Sequence, residues 1–234
     1  MSQKKTVLHM VSLSAIAAAI IVVASWQGTS VPSTIGLVDR LIVGGAFIAS
    51  CAFGISLAVR PGWTRRLGAG IGEEAPKDLD HPPGQRGHHP ACELFESHTV
   101  KWRDRTLCAG CTGLAIGSFV SVPLMGMYVV LQAELPIWAL QALLASGLAL
   151  VGAKYIETLS PWSRASGRII SNGLLVVGFF LIVMSVLELS GSAVLGVLGV
   201  VVSFLFLDTR IQLSRWRHVR TCSECSESCK VYLG

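Results

Sequence analysis

Charge is scarce in this sequence. Only 14% of its 234 residues are Asp, Glu, Lys or Arg, against about 25% in an ordinary soluble domain. Aromatic residues are few as well, at 7%. What fills the chain is apolar: 52% is hydrophobic, and mean hydropathy is +0.60. The apolar residues come in long blocks, and roughly 20 mostly apolar residues suffice to cross a bilayer as a helix. Catalytic motifs are missing too. There is no nucleophile elbow and no His-Glu-x-x-His. The one glycine run, Gly68-Ala69-Gly70-Ile71-Gly72, lies in a charged loop rather than between a strand and a helix, so it is no phosphate cradle. No basic stripe interleaved with aromatics occurs, which excludes nucleic acid. The net charge of +5 reads instead as a topology signal facing anionic lipid.

The apolar blocks predict an all-α membrane protein with about six transmembrane helices. Span one runs Thr6 to Trp26, span two Leu37 to Val59, and span three Leu107 to Leu131. Span four runs Pro136 to Tyr155, span five Ile169 to Leu187, and span six Ser192 to Leu213. The first block is longer than the roughly 7–15 apolar residues of a signal peptide, so it is read as an uncleaved helix. Short links make spans three and four, and five and six, antiparallel hairpins. The expected divisions are a first transmembrane hairpin (1–59), a Cys/His-rich loop (60–106), a four-helix region (107–213) and a Cys-rich tail (214–234). Within the loop, Asp80 to Pro90 is turn-rich and Ala91 to His98 suits a short helix.

Lysine and arginine concentrate on cytoplasmic loops. With six spans and the amino terminus inside, all of the nineteen basic residues except Arg40 fall on that side. The expected location is therefore the cell membrane, multi-pass, with both termini cytoplasmic. The spans themselves are nearly free of ionisable groups. Lys154, Glu157, Glu188 and Asp208 fall near predicted ends, and Gln132, Gln141 and Asn172 look peripheral. A charge within a span is a functional pointer, and its absence argues against an ion-coupled pump. Matching broken helices of an inverted repeat are absent as well. Gly113 and Gly117 form a small-x3-small face suited to helix packing.

Seven cysteines and six histidines supply the only concentrated chemistry. Cys51 lies inside span two and reads as a small buried hydrophobe. The rest of the thiols form two groups on the expected cytoplasmic side, where disulfides are rare and metal or redox roles gain weight. The first group is His88, His89, Cys92, His98, Cys108 and Cys111. Its Cys-x2-Cys opens span three, and the positive end of a helix favours the thiolate that metals bind. Three thiolates and one imidazole complete a closed zinc site, with His98 the first choice of imidazole. The second group is His218, Cys222, Cys225 and Cys229, again three sulfurs and one imidazole. The groups form two sites or share ligands in one. His9 reads as interfacial and His81 as a loop residue, neither with a role.

The stretch Leu107-Cys108-Ala109-Gly110-Cys111-Thr112-Gly113-Leu114-Ala115-Ile116-Gly117 resembles a pattern in an uncharacterised family of prokaryotic membrane proteins, domain of unknown function twenty eighty-five. That pattern has Cys-His-Gln upstream, then Cys-x-Arg-Cys-x-Gly leading into a helix. Cys92 matches the first cysteine, and Cys108, Cys111, Thr112 and Gly113 the second element. Glu93 stands where the pattern has histidine, and Gly110 where it has arginine. The resemblance covers roughly thirty residues. It implies that Cys92, Cys108 and Cys111 belong to one site, and it implies no activity.

Three expectations follow. The first is a scaffold, accessory subunit or sensor, rather than an enzyme, whose zinc site pins loop and tail to the helices. Its environment is the lipid bilayer, with a membrane-protein partner and no nucleic acid. The second is a membrane redox protein holding an iron–sulfur cluster or a dithiol pair; the tail resembles part of a ferredoxin-type run but lacks one cysteine of that spacing. The third is a transporter or channel for an uncharged or metal substrate, which requires a path between the helices.

Overall fold

A computed structural model of the chain describes residues 3–28, 35–59, 85–86, 98–102, 105–132, 134–160 and 164–224. These residues form six long helices and one small sheet. The helices are α1 (Gln3–Gly28), α2 (Leu37–Val59), α3 (Ala109–Leu131), α4 (Ile137–Leu159), α5 (Ala165–Ser190) and α6 (Ala193–Glu224). Each is long and apolar enough to cross a membrane. Their outward faces carry large apolar side chains, among them Phe119, Val130, Trp138, Ile156 and Val194. Water would not tolerate so much contiguous apolar surface, whereas acyl chains would. The chain is a multi-pass membrane protein.

Helix α5 is the hub. It packs against all five other helices, and 61% of its most apolar window is buried, against 17–39% for the others. Small residues make this closeness feasible. A Cβ on Gly117 would come within 2.5 Å of the Gly173 carbonyl oxygen, and one on Gly147 within 2.8 Å of the Gly178 oxygen. Gly113 likewise lies against the backbone at Ile169, so the Gly113/Gly117 face serves helix packing as expected. In lipid the hydrophobic effect does not drive helices together, and such backbone approach supplies dispersion instead.

The turns explain the hairpins. Helix α5 ends at Gly191 in the left-handed region (φ 63°), whose N–H bonds the Leu187 carbonyl, and α6 starts two residues on. Polar side chains then tie α6 to its neighbours. The Ser14 and Thr209 hydroxyls are hydrogen-bonded at 2.7 Å, and the Tyr155 hydroxyl donates to the Phe206 carbonyl at 3.0 Å.

Helix α6 differs from expectation. Its 32 residues span about 48 Å at 1.5 Å per residue, well beyond a hydrocarbon core of roughly 30 Å. The first part of the expected tail, residues 214–224, is thus a continuation of the sixth helix. The loop also differs. Strands β1 (Gln85–Arg86), β2 (Thr99–Trp102) and β3 (Arg105–Cys108) form a sheet in the order β1-β3-β2. The expected short helix over Ala91 to His98 lies outside the described residues, apart from His98.

Candidate functional site: a Cys/His/Arg pocket at one end of the bundle

The ends of α4 and α6 and the starts of α3 and α5 meet at one end of the bundle, where the sheet joins them. Cys108 is the hinge of this arrangement. It is the last residue of β3 and the N-cap of α3, with extended backbone (φ −70°, ψ 121°). The Thr112 hydroxyl donates to its carbonyl at 2.9 Å, securing the first turn. One turn separates Cys108 from Cys111 and holds the two thiols side by side, where they interact electrostatically.

Strand pairing delivers the imidazole. β2 runs antiparallel to β3 with Thr99 opposite Cys108, which brings His98, just before β2, beside that thiol. His218 arrives from α6, 120 residues away in sequence. Its Nε2 lies 3.2 Å from Nδ1 of His98, and the two rings meet edge to face at 4.9 Å between centroids. His98, Cys108, Cys111 and His218 all line one pocket of about 40 Å³, together with Gly110, Arg168, Asn172, Arg210 and Ser214. That space exceeds the roughly 10–15 Å³ needed to admit a water or an ion.

Of the ten metal-ligand candidates, the structure brings these four together. Cys222 is buried on α6, one turn beyond His218 on the same face, and does not line the pocket. His88, His89, Cys92, Cys225 and Cys229 lie outside the described residues. No disulfide joins Cys51, Cys108, Cys111 or Cys222. Among the described residues, no three Cys, His, Asp or Glu side chains approach closely enough to hold a metal ion as they stand. Two thiols and two imidazoles are donor types that metal ions such as zinc accept.

Sequence reasoning missed the cations. Arg168 and Arg210 line the pocket, and Arg210 interacts electrostatically with both thiols and with Glu157. A Cβ on Gly110 would meet Nη2 of Arg210 at 2.8 Å, so the absent side chain there leaves room for the guanidinium. Lys154, only 2% exposed, reaches Glu157 Oε2 at 2.5 Å and Ser171 Oγ at 2.9 Å. Arg217 donates to the Thr158 carbonyl at 2.7 Å and to that of Ser160, where a cation suits the carbonyl end of α4. Asn172, expected at the periphery, is fully buried. Its amide nitrogen donates to the Arg168 carbonyl at 2.5 Å. Asn172 Oδ1, Arg168 Nε and Arg210 Nε are buried without hydrogen-bond partners among the described residues.

The near-absence of charge within the spans also needs correction. Arg40, at the opposite end, is 5% exposed and pairs with Glu188 at 3.0 Å. These charges do lie in terminal turns, but they are buried between helices. The only available signal was their position inside otherwise apolar runs.

A large second space adjoins the pocket. A cavity of about 450 Å³ opens between α2, α3, α5 and α6, and Cys111, Arg210, Ser214 and His218 line both. Cys51 lies in its wall beside Ser118 and is buried in the hydrophobic core, as its place in span two led one to expect.

No protein-family model, curated protein or solved structure matches the chain.

Proposed function

We propose that this membrane protein holds a metal ion, zinc in the first instance, at its cytoplasmic face, and that it acts as a scaffold, accessory subunit or sensor. The observation that carries the reading is the meeting of His98 and His218 at 3.2 Å over a pocket they share with Cys108 and Cys111. Nothing in the local chain connects those histidines. Their separation is that of two nitrogens on one tetrahedral ion with bonds of roughly 2.0–2.1 Å.

Cys92 is the further donor of this proposal. The resemblance groups it with Cys108 and Cys111; where it takes the place of one of the two histidines, three thiolates and one imidazole carry a net negative charge with zinc. Arg210 offsets that charge. Where the resembled pattern carries an arginine, this chain has Gly110, and the guanidinium of Arg210 lies against it. The cation is supplied from α6 instead of from the motif. Bound zinc supplies coordination, clamping the sheet and α6 onto the start of α3; structural zinc contributes folding energy outright.

The test is metal analysis of the purified chain. One equivalent of zinc is expected, lost in Cys108→Ser and His218→Ala and retained in Cys225→Ser. Less than one equivalent of any metal, unchanged by Cys108→Ser, would sink the proposal. A dithiol redox reading has its own support, the placement of Cys108 and Cys111 one turn apart in one pocket. Thiol trapping before and after oxidation separates the two readings, and visible absorbance reveals an iron–sulfur cluster.

A further inference from the structure

The 450 Å³ cavity is not explained by metal binding. Such a volume lies within the range of ligand sites, and its composition is polarised. Its walls are apolar, including Phe47, Leu114, Phe179 and Leu207. At the site end its lining becomes basic, with Arg210, Arg215 and His218, and among the described residues no aspartate or glutamate contributes. Phe204 and Ile211 line it yet remain 43% and 45% exposed, so the cavity opens sideways between helices, toward lipid.

We propose that this cavity binds a membrane-dissolved amphiphile with one apolar chain and an anionic head, the head seated at Arg210. Charge complementarity is the argument. Glu157, the acid facing Arg210, is already engaged by Lys154. Arg210 Nε is buried without a hydrogen-bond partner among the described residues, although a buried donor left unmade is costly. A guanidinium has five donors, enough to face the thiols with some and an anion with others. The volume of about 450 Å³ lies toward the lower end of the roughly 300–1,000 Å³ of ligand sites, which favours one chain over two. Entry needs no passage through water, since the mouth faces acyl chains. The ligand's head would touch the pocket of Cys111 and His218, so the metal site would sense its occupancy. Binding itself does not require the metal.

The experiment uses the full chain in nanodiscs of zwitterionic lipid, zinc-loaded and metal-stripped. A photoactivatable long-chain carboxylate is crosslinked and the labelled peptides are mapped. Competitors are oleate, dodecyl phosphate, methyl oleate and inorganic phosphate. Labelling is expected within residues 47–58 and 200–211, displaced by oleate and dodecyl phosphate and at least about tenfold less well by methyl oleate, the loss of one charge-assisted bond. Gly54→Phe fills the cavity and abolishes labelling with metal content unchanged, because a side chain there meets nothing nearer than Ser118 Oγ at 3.9 Å. Arg210→Gln weakens oleate at least about tenfold. Labelling spread over the lipid faces of α1 and α4, or equal competition by methyl oleate, overturns the proposal. Equal competition by inorganic phosphate overturns it too, pointing to an aqueous anion site. The map and the competitor series use the native chain, so they decide even where a variant fails to fold.

Discussion

The two ends of the bundle handle buried charge in opposite ways. At the end remote from the cysteines, Arg40 and Glu188 form an ion pair at 3.0 Å. The Tyr128 hydroxyl donates to the same carboxylate at 2.5 Å, and the guanidinium lies 5.3 Å from the Tyr128 ring centroid. One cation, one anion and one aromatic face join α2, α3 and α5, with Arg40 Nε and Nη1 buried without hydrogen-bond partners among the described residues. At the cysteine end, among the described residues, Arg168, Arg210, Arg217 and Lys154 face one carboxylate, that of Glu157. There a pocket lies between the groups. Balanced charge is what a structural clamp requires. Unbalanced charge around a void is what a binding site requires, because the missing counter-charge arrives with the occupant or with thiolates made by it.

The largest effect should come from breaking the balanced end. Glu188→Ala leaves Arg40 buried without its counter-ion, which costs about 3–5 kcal/mol in comparable buried pairs. The expected result is loss of monodisperse protein on size exclusion after mild heating. Arg40→Leu combined with Glu188→Leu should recover most of the stability, since apolar replacement of a whole buried pair is often neutral. A double variant as unstable as Glu188→Ala would mean that this cluster, too, serves a ligand or a partner.

The cysteine end should respond through ligand rather than through fold. Cys108→Ser is expected to abolish zinc binding while leaving the melting temperature of the metal-free protein unchanged within about 2 °C. Arg210→Gln should weaken zinc by about 10–100-fold, as loss of a group orienting or balancing the ligands does; chelator competition measures it. The pH dependence has a definite sign. Thiolates and neutral imidazoles are the binding forms, so protons compete with the metal. Zinc affinity should therefore fall as pH is lowered, and restoring pH should restore it.

Much of the fold was legible in the sequence, because a bilayer imposes length and hydropathy on every span. The six helices follow from that, as do the short α3–α4 and α5–α6 links. The end of α6 was legible only in part: Ile211, Leu213 and Trp216 suit either an extension of span six or a segment along the membrane surface. Arg210, Arg215, Arg217 and Arg220 looked like a tail, but a helix leaving the hydrocarbon keeps its backbone bonds in water and need not stop where the apolar run stops. Four-residue strands such as Thr99–Trp102 carry too little alternation to announce themselves. At the site, Cys-x2-Cys and His98 were legible through ligand spacing. Arg168, Asn172 and Arg210 were not, because burial between helices is a property of three dimensions. Hydropathy sees an arginine near a helix end and counts it as interfacial, whichever way it points.

The smallest effect distinguishes tethering from chemistry. Ser14 and Thr209 join α1 to α6 at 2.7 Å, and Thr209 also reaches the Met10 carbonyl at 3.3 Å. Interhelical hydrogen bonds in membranes average about 0.6 kcal/mol, because the unfolded helices in lipid also find partners. Ser14→Ala and Thr209→Val should each cost about that much, and a double-mutant cycle should return a coupling of similar size. Neither variant should change zinc content. α1 contributes nothing to either the pocket or the cavity, and Thr209 directly precedes Arg210 without lining them. A Thr209→Val variant that kept its stability but lost metal would show that α1 holds Arg210 in place. The cysteine end would then depend on the whole bundle rather than on α3, α6 and the sheet alone.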